Sequence, residues 1–101
     1  MTIILNTDKN ISGNERLETY VNSVIAEELS RFEEHITRIE VHLSDENGAK
    51  EGSKDKRCML EARLKNKQPI AVTSHGDTLE KSLTDAIGKL KTSLDKANKR
   101  S

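Results

Sequence analysis

The chain contains few aromatic residues and a single cysteine. Of its 101 residues only Tyr20 and Phe32 are aromatic, and tryptophan is absent. Proteins that bind single-stranded nucleic acid by base stacking need several exposed rings, so the sequence disfavours this class. The lone Cys58 excludes an internal disulfide and fits a reducing compartment, and we therefore expect a cytoplasmic protein.

Several other sequence signals are also missing. There is no run of about 18 apolar residues and no secretory leader pattern at the start, so we expect neither a membrane span nor a signal peptide. The sequence has no CxxC pair, no GxGxxG loop and no P-loop. Nothing in it places His35, His42 and His75 together. We therefore expect no catalytic residue, no metal site, no cofactor and no small-molecule substrate.

Charge is what the chain has in excess. Charged residues make up 34% of it and hydrophobic residues 33%, so the core must be small. The net charge of zero hides a division of the chain. Residues 1–51 carry 5 Lys/Arg and 11 Asp/Glu, a net charge of −6, whereas residues 52–101 carry 12 and 6, a net charge of +6. The resulting dipole predicts a polyanionic partner that approaches in one orientation.

Hydrophobic spacing predicts two amphipathic helices. The first begins at Ser12, whose spacing to Glu15 fits a capping box, and its apolar residues recur every three or four positions to about Glu34. The second begins at Asp77, which has the same spacing to Glu80, and its apolar stripe continues for about five turns.

Alternation of apolar and polar residues predicts four strands, at residues 2–6, around Val41, around Leu60 and from Pro69 onwards. The order β-α-β-β-β-α favours an α+β fold, a four-stranded mixed sheet with both helices packed on one face and the first two strands parallel. We expect one domain, residues 1–101, with a flexible loop at about 45–56 and a frayed basic tail at about 98–101.

The positive side chains of the second half of the chain are segregated. Within the last helix they lie in an arc of about 100° opposite the apolar stripe, interrupted by Asp85, which has the spacing to pair with Lys89. The residues of this arc are Lys81, Lys89, Lys96, Lys99 and Arg100. Outward positions of the third strand add Arg57, Arg63 and Lys65, with Lys67 in the following turn. Helix-dipole complementation explains two or three of the helix residues but none of the strand residues.

This arrangement favours binding to a polyanion. With so few aromatic residues, contacts to phosphates and to the shape of folded RNA are more plausible than readout of unstacked bases. Two other functions stay open. One is a protein-interaction module that binds a regulator through its open sheet face or acidic first helix, and the other is a free double-stranded RNA binder of similar fold. Added salt should weaken RNA-mediated binding sharply but not an apolar protein interface.

Three segments of the sequence carry a resemblance to a known family. They are TIILNTDKNISGNERLETYV, HITRIEVHLSDENG and DKRCMLEARLKNKQPIAVTSHGDTLEKSLTDAIGKLKTSLDK. Together with the order of elements, they resemble the ribosome hibernation-promoting factor / ribosome-associated inhibitor family over nearly the whole chain. HITRIEVHLSDENG and KRCMLEARL are similar to a proteobacterial branch of that family. Where many members open the last helix with an Asp-x-Tyr stretch, this chain has Asp77, Thr78 and Leu79.

The resemblance implies a ribosome-bound translation inhibitor that is not an enzyme. Family members bind the small ribosomal subunit near the decoding centre and block messenger and transfer RNA. For this chain the resemblance implies contacts to ribosomal RNA from Lys89, Lys96, Lys99 and Arg100, with Lys81, Arg57, Arg63 and Lys65 as additional contacts. Because the chain resembles the short members, which lack a C-terminal dimerisation domain, pairing of ribosomes is expected to need a separate dimerising factor.

Overall fold

The computed structural model of the protein describes residues 1–46 and 55–99, with side chains of the last helix described up to Ala97. The elements are β1 (Thr2–Thr7), α1 (Glu15–Glu28), a short 3-10 helix (Ser30–Phe32), β2 (Ile36–Asp45), β3 (Lys56–Leu64), β4 (Ile70–Gly76) and α2 (Leu79–Lys99). Their order, β-α-β-β-β-α, is the predicted one, and the 3-10 helix is the only element that the sequence analysis did not anticipate within the described residues.

The four strands form one mixed sheet in the order β1-β2-β3-β4. β1 is parallel to β2, and β2, β3 and β4 form an antiparallel meander. Strands β1 and β4 are therefore the two edges. The predicted α+β fold, with its mixed four-stranded sheet, is confirmed.

A single apolar core lies between the sheet and the two helices. The strands contribute their inward residues, among them Val41 and Leu60, and the helices contribute the stripes centred on Ile25 and Leu90. Cys58 is fully buried in this layer, as its position in the alternating pattern predicts. The opposite face of the sheet carries the polar residues of the same alternation, and we call it the open face.

The first helix is shorter than predicted. Its cap is Asn14, whose side-chain oxygen accepts a hydrogen bond from the backbone N–H of Leu17 at 2.9 Å, so the predicted capping box at Ser12 is wrong. The helix ends at Glu28 rather than near Glu34. The chain then tightens into the 3-10 helix, which turns Phe32 into the core.

A β-bulge at Thr37 alters the start of β2. Ile36 pairs with Leu64 and Arg38 pairs with Arg63, so β2 has one residue more than β3 at this point. The Thr37 hydroxyl donates to the carbonyl oxygen of Arg63 at 3.1 Å. An extra residue shifts the alternation of a strand by one position. As a result Ile36 is buried while Arg38 lies on the open face.

The ends of the predicted loop at 45–56 are held together. Asp45 and Lys56 are the last register pair of β2 and β3, and the Lys56 ammonium lies 3.3 Å from the Asp45 carboxylate and 3.0 Å from that of Asp55. Residues 47–54, on which the rest of the loop prediction falls, lie outside the described residues. The same holds for residues 100 and 101 of the predicted tail, whereas α2 continues to Lys99.

The start of α2 packs closely on the end of β4. The hydroxyl of Thr78 accepts a hydrogen bond from the backbone N–H of Lys81 at 3.0 Å and caps the first turn, one residue later than the cap predicted at Asp77. Gly76 is buried against this turn. A Cβ atom at Gly76 would lie 2.8 Å from the backbone nitrogen of Ser82, so only glycine fits without a shift.

Candidate nucleic-acid interface

The two sides of α2 have different neighbours. On one side, Lys91 contacts Glu28 of α1, with 2.7 Å between the ammonium nitrogen and a carboxylate oxygen. On the other, the Lys89 ammonium donates to the backbone carbonyl oxygen of Thr73 in β4 at 2.7 Å. The helical spacing of Lys81 and Lys96 places them on the Lys89 side. We call this side, with its exposed residues Lys81, Lys89 and Lys96, the lysine flank.

The ammonium groups of the lysine flank form no ion pair with the carboxylates that the structure describes. Among the residues that the structure describes, no Asp or Glu lies within 4.0 Å of the ammonium groups of Lys81, Lys89 or Lys96. The pair between Asp85 and Lys89 that the spacing allows is not formed, because Lys89 extends to the edge of the sheet instead. The flank therefore presents unscreened positive charge to solvent.

The β3–β4 turn brings further positive charge to the C-terminal end of the flank. Asn66 adopts a left-handed conformation with φ of 60°, which allows the tight turn. The ammonium of Lys67 then donates to the carbonyl oxygen of Ala97 in α2 at 2.9 Å. Lys67 was not among the predicted contacts, and only the packing of the turn against α2 reveals its position. Lys65 is exposed in the same turn.

A shallow groove of about 390 Å³ lies beside this turn. It is lined by Pro69, Ile70, Ser93, Lys96 and Ala97. The groove runs between the start of β4 and the end of α2, so Lys96 borders a concave surface rather than an isolated position on the helix.

Two predicted contacts lie elsewhere. Arg57 and Arg63 belong to the open face, on the opposite side of the sheet from α2. Each is near a carboxylate: the Arg57 Nε atom is 3.9 Å from Glu46, and the Arg63 Nε atom is 3.3 Å from Glu61. The structure thus divides the predicted residues between the lysine flank and the open face. The side chains of Lys99 and Arg100 lie outside the described part of the chain.

The outer surface of the two helices is acidic, and ion pairs join α2 to α1 and to the 3-10 helix there. Arg31 forms a two-pronged ion pair with Asp95 of α2, with distances of 3.0 and 3.1 Å, and its guanidinium lies 4.2 Å from the centre of the Phe32 ring. On this side of α2, the positive charges of Arg31 and Lys91 are thus each paired with a carboxylate, of Asp95 and Glu28 respectively. Among the described residues of α2, the lysines without a carboxylate partner are those of the lysine flank.

Cys58 lies fully buried in the core layer. The pKa of the Cys58 thiol is raised to about 12, chiefly because burial disfavours the thiolate, and the Arg57 charge offsets only part of this effect. Within residues 1–46 and 55–97, no group of three His, Cys, Asp or Glu side chains is arranged to hold a metal ion. None of the helices in the described part of the chain is long and apolar enough to cross a membrane.

Fold and charge together define a small α+β domain that carries its positive charge along one side of its last helix. A family model described as "Sigma 54 modulation protein / S30EA ribosomal protein" matches residues 4–101. The chain belongs to this family, which confirms the family resemblance seen in the sequence.

Two solved structures have the same fold. The N-terminal domain of Protein Y from Thermus thermophilus is similar with a TM-score of 0.74 and 19% identity, and the match covers 95% of this chain and 98% of that one. A ribosomal subunit interface protein from Coxiella burnetii is similar with a TM-score of 0.68 and 18% identity, covering 97% and 98%. No curated protein sequence gives a significant match. At these identities the two structures establish a shared fold.

Proposed function

We propose that this protein is a cytoplasmic ribosome-hibernation factor. It binds the small ribosomal subunit through ribosomal RNA near the decoding centre and blocks the binding of messenger and transfer RNA. Membership of the S30EA family and the fold shared with a ribosomal subunit interface protein from Coxiella burnetii support association with ribosomes. Inhibition follows from occupancy of the RNA channel and requires no chemical step.

The observation that carries the proposal is the lysine flank. Three exposed ammonium groups on one side of α2 have no carboxylate neighbour among the described residues, and the turn at Lys67 extends the same surface. Lysines that contact phosphates release condensed counterions, so affinity depends steeply on salt. We propose that the lysine flank, formed by Lys81, Lys89 and Lys96, makes the main phosphate contacts. Lys65, Lys99 and Arg100 extend this surface, while Arg57 and Arg63 contact RNA from the open face.

Cosedimentation with ribosomes tests this function. The triple variant Lys81→Gln, Lys89→Gln, Lys96→Gln removes three positive charges from the lysine flank. Its matched control, Lys9→Gln, Arg16→Gln, Lys91→Gln, removes the same number of charges elsewhere. We expect the flank variant to lose binding at physiological salt by about 10-fold or more, and the control to remain within about 3-fold. Equal losses for both variants would refute a localised interface.

The same experiment separates the other two functions. Binding of plain RNA duplexes with the same affinity as ribosomes would identify a general double-stranded RNA binder. Ribosome binding that is insensitive to salt would identify a protein interface instead. For the proposed function we expect binding to weaken with salt and to require the small subunit, together with inhibition of messenger RNA-directed translation.

A further inference from the structure

Two arginines face each other across the open face. Arg38 of β2 and Arg63 of β3 are register partners in the antiparallel pair, and both side chains are on the side away from the helices. Like charges directly opposite one another in a sheet repel and destabilise it. The pairing of Arg38 with Arg63 continues the regular register of β2 and β3, and the β-bulge at Thr37 lies directly beside it, where it turns Ile36 into the core. Bulges commonly redirect a side chain next to a functional site.

Most hydrogen-bond donors of this pair have no protein acceptor. The Arg38 Nη2 atom donates to Glu40 at 2.9 Å, and the Arg63 Nε atom donates to Glu61 at 3.3 Å. No other polar contact of either guanidinium is found among the described residues, although each group has five N–H donors. The Nε atom of Arg38 is buried and has no hydrogen-bond partner. The two side chains are 42% and 47% exposed, so their other donors can be reached by an oxyanion.

The two guanidinium groups line a concave surface. A groove of about 550 Å³ is lined by Arg38 and Arg63 together with Thr2, Thr37 and Ile4. The groove therefore combines two forked cations with a hydroxyl-bearing wall. Arginine forks match the geometry of phosphate oxygens, which they bind with two parallel hydrogen bonds.

We propose that Arg38 and Arg63 together bind one phosphate group in this groove. This inference deepens the proposed function, since it assigns to the open face a phosphate contact that is separate from the lysine flank. Glu40 and Glu61 hold the two arginines in the free protein through partly exposed ion pairs, with which a phosphate must compete. Both carboxylates also repel the phosphate, so they limit its affinity.

Nuclear magnetic resonance titration of the full chain tests the site directly. The arginine Nε–Hε signals are followed while inorganic phosphate is added, and in parallel while a short RNA duplex is added. We expect the Arg38 and Arg63 signals to shift together and to saturate, while the signal of Arg16 on α1 does not. The double variant Arg38→Gln, Arg63→Gln should weaken phosphate binding by about 10-fold or more. Arg16→Gln is the matched control and should change nothing.

A second variant is expected to strengthen phosphate binding, and it therefore separates loss of the site from misfolding of the protein. Glu61→Gln keeps the shape of the side chain and removes a repelling charge, so phosphate should bind about 2- to 5-fold more tightly. A loss of stability cannot produce tighter binding. Absence of saturable shifts at Arg38 and Arg63 with both probes, or equal affinity in the double variant, would overturn the proposal.

The two probes also identify where the phosphate comes from. If the RNA duplex shifts the arginine signals at lower concentration than inorganic phosphate, the ligand is a nucleic-acid backbone. If only inorganic phosphate does so, the ligand is a free phosphate group. Neither readout needs ribosomes, so loss of ribosome binding with intact arginine shifts would count against the proposed function alone.

Discussion

The ammonium group of Lys89 donates a hydrogen bond to the backbone carbonyl oxygen of Thr73 at 2.7 Å. Thr73 belongs to β4, an edge strand of the sheet. Edge strands expose backbone groups that can pair with other chains, and lysines on such edges oppose that pairing. One side chain therefore serves two purposes: it protects the edge of the sheet, and it contributes charge to the lysine flank.

The contact with Thr73 predicts how Lys89 affects stability. Lys89→Met keeps the length of the side chain but removes the donor, and we expect the free energy of unfolding to fall by about 0.5–1.5 kcal/mol. Lys81→Met is the control, because among the described residues its ammonium has no hydrogen-bond partner, and its effect should remain within about 0.5 kcal/mol. Urea denaturation measures both. Equal effects would show that the contact with the strand contributes nothing.

Gly76 and Gly88 predict opposite results for the same substitution. In Gly76→Ala the new methyl group meets the backbone of Ser82 at 2.8 Å, and we expect a loss of about 1–3 kcal/mol in the free energy of unfolding. In Gly88→Ala the methyl group has no atom within 4 Å, and alanine favours the helix, so we expect a gain of about 0.5–1 kcal/mol. Thermal denaturation of both variants measures these changes in stability. Stabilisation by Gly76→Ala would contradict the close packing of β4 on α2.

Burial of Cys58 makes stability depend on pH in the alkaline range. The thiol pKa is raised from the model-compound value of 9.0 to about 12 in the folded protein. The unfolded chain therefore releases its proton first, so the contribution of Cys58 to stability is complete below about pH 9 and is lost progressively as the pH rises towards 12. Urea denaturation of the native protein and of Cys58→Ala, across this range, should show a steeper decline for the native protein.

The same burial predicts slow chemical modification of the thiol. Because the thiolate is the reactive form, labelling of the folded protein by a thiol reagent at pH 8 should be much slower than labelling of the urea-unfolded protein. Rapid labelling of the folded protein would mean that β3 opens readily.

Lys56 holds together the base of the segment between β2 and β3. Its pKa is raised, chiefly by the hydrogen bond to Asp55 and further by Asp45, although burial opposes this effect. The charged ammonium therefore stabilises the fold, and Lys56→Gln should destabilise it more at pH 7 than at a pH high enough to deprotonate Lys56. Lys65→Gln, in an exposed turn, is the control and should have little effect at either pH. A loss of stability independent of pH would indicate that packing of the side chain, and not its charge, is what matters.

Much of the fold follows from local patterns. Alternation around Val41 and Leu60 predicts their strands, because each residue in a half-buried strand faces either core or solvent. The ends of elements are less well determined. Serine and asparagine side chains can both accept a capping hydrogen bond, so residue type alone did not exclude the predicted cap at Ser12, and in the folded chain Asn14 caps α1 instead. Phe32 fits the helical stripe, yet it reaches the core from a 3-10 turn.

The candidate site, like the fold, could be predicted only in part from the sequence. The segregation of Lys81, Lys89 and Lys96 follows from helical spacing alone. The position of Lys67 at the end of α2 does not, because it depends on how the β3–β4 turn packs against the helix. The juxtaposition of Arg38 and Arg63 is also invisible in the sequence, since it depends on the register in which β2 and β3 pair.

By itself the sequence determined the elements, their order and which side of α2 is cationic, because these depend on spacing between neighbouring residues. Tertiary structure alone decided which of these cations act together. It placed Lys89 at the edge of β4, brought Lys67 to the end of α2, and placed Arg63 opposite Arg38. The physical reason is that electrostatic attraction to a partner depends on distances between charges in space, and strand register, turns and bulges set those distances only after the chain has folded.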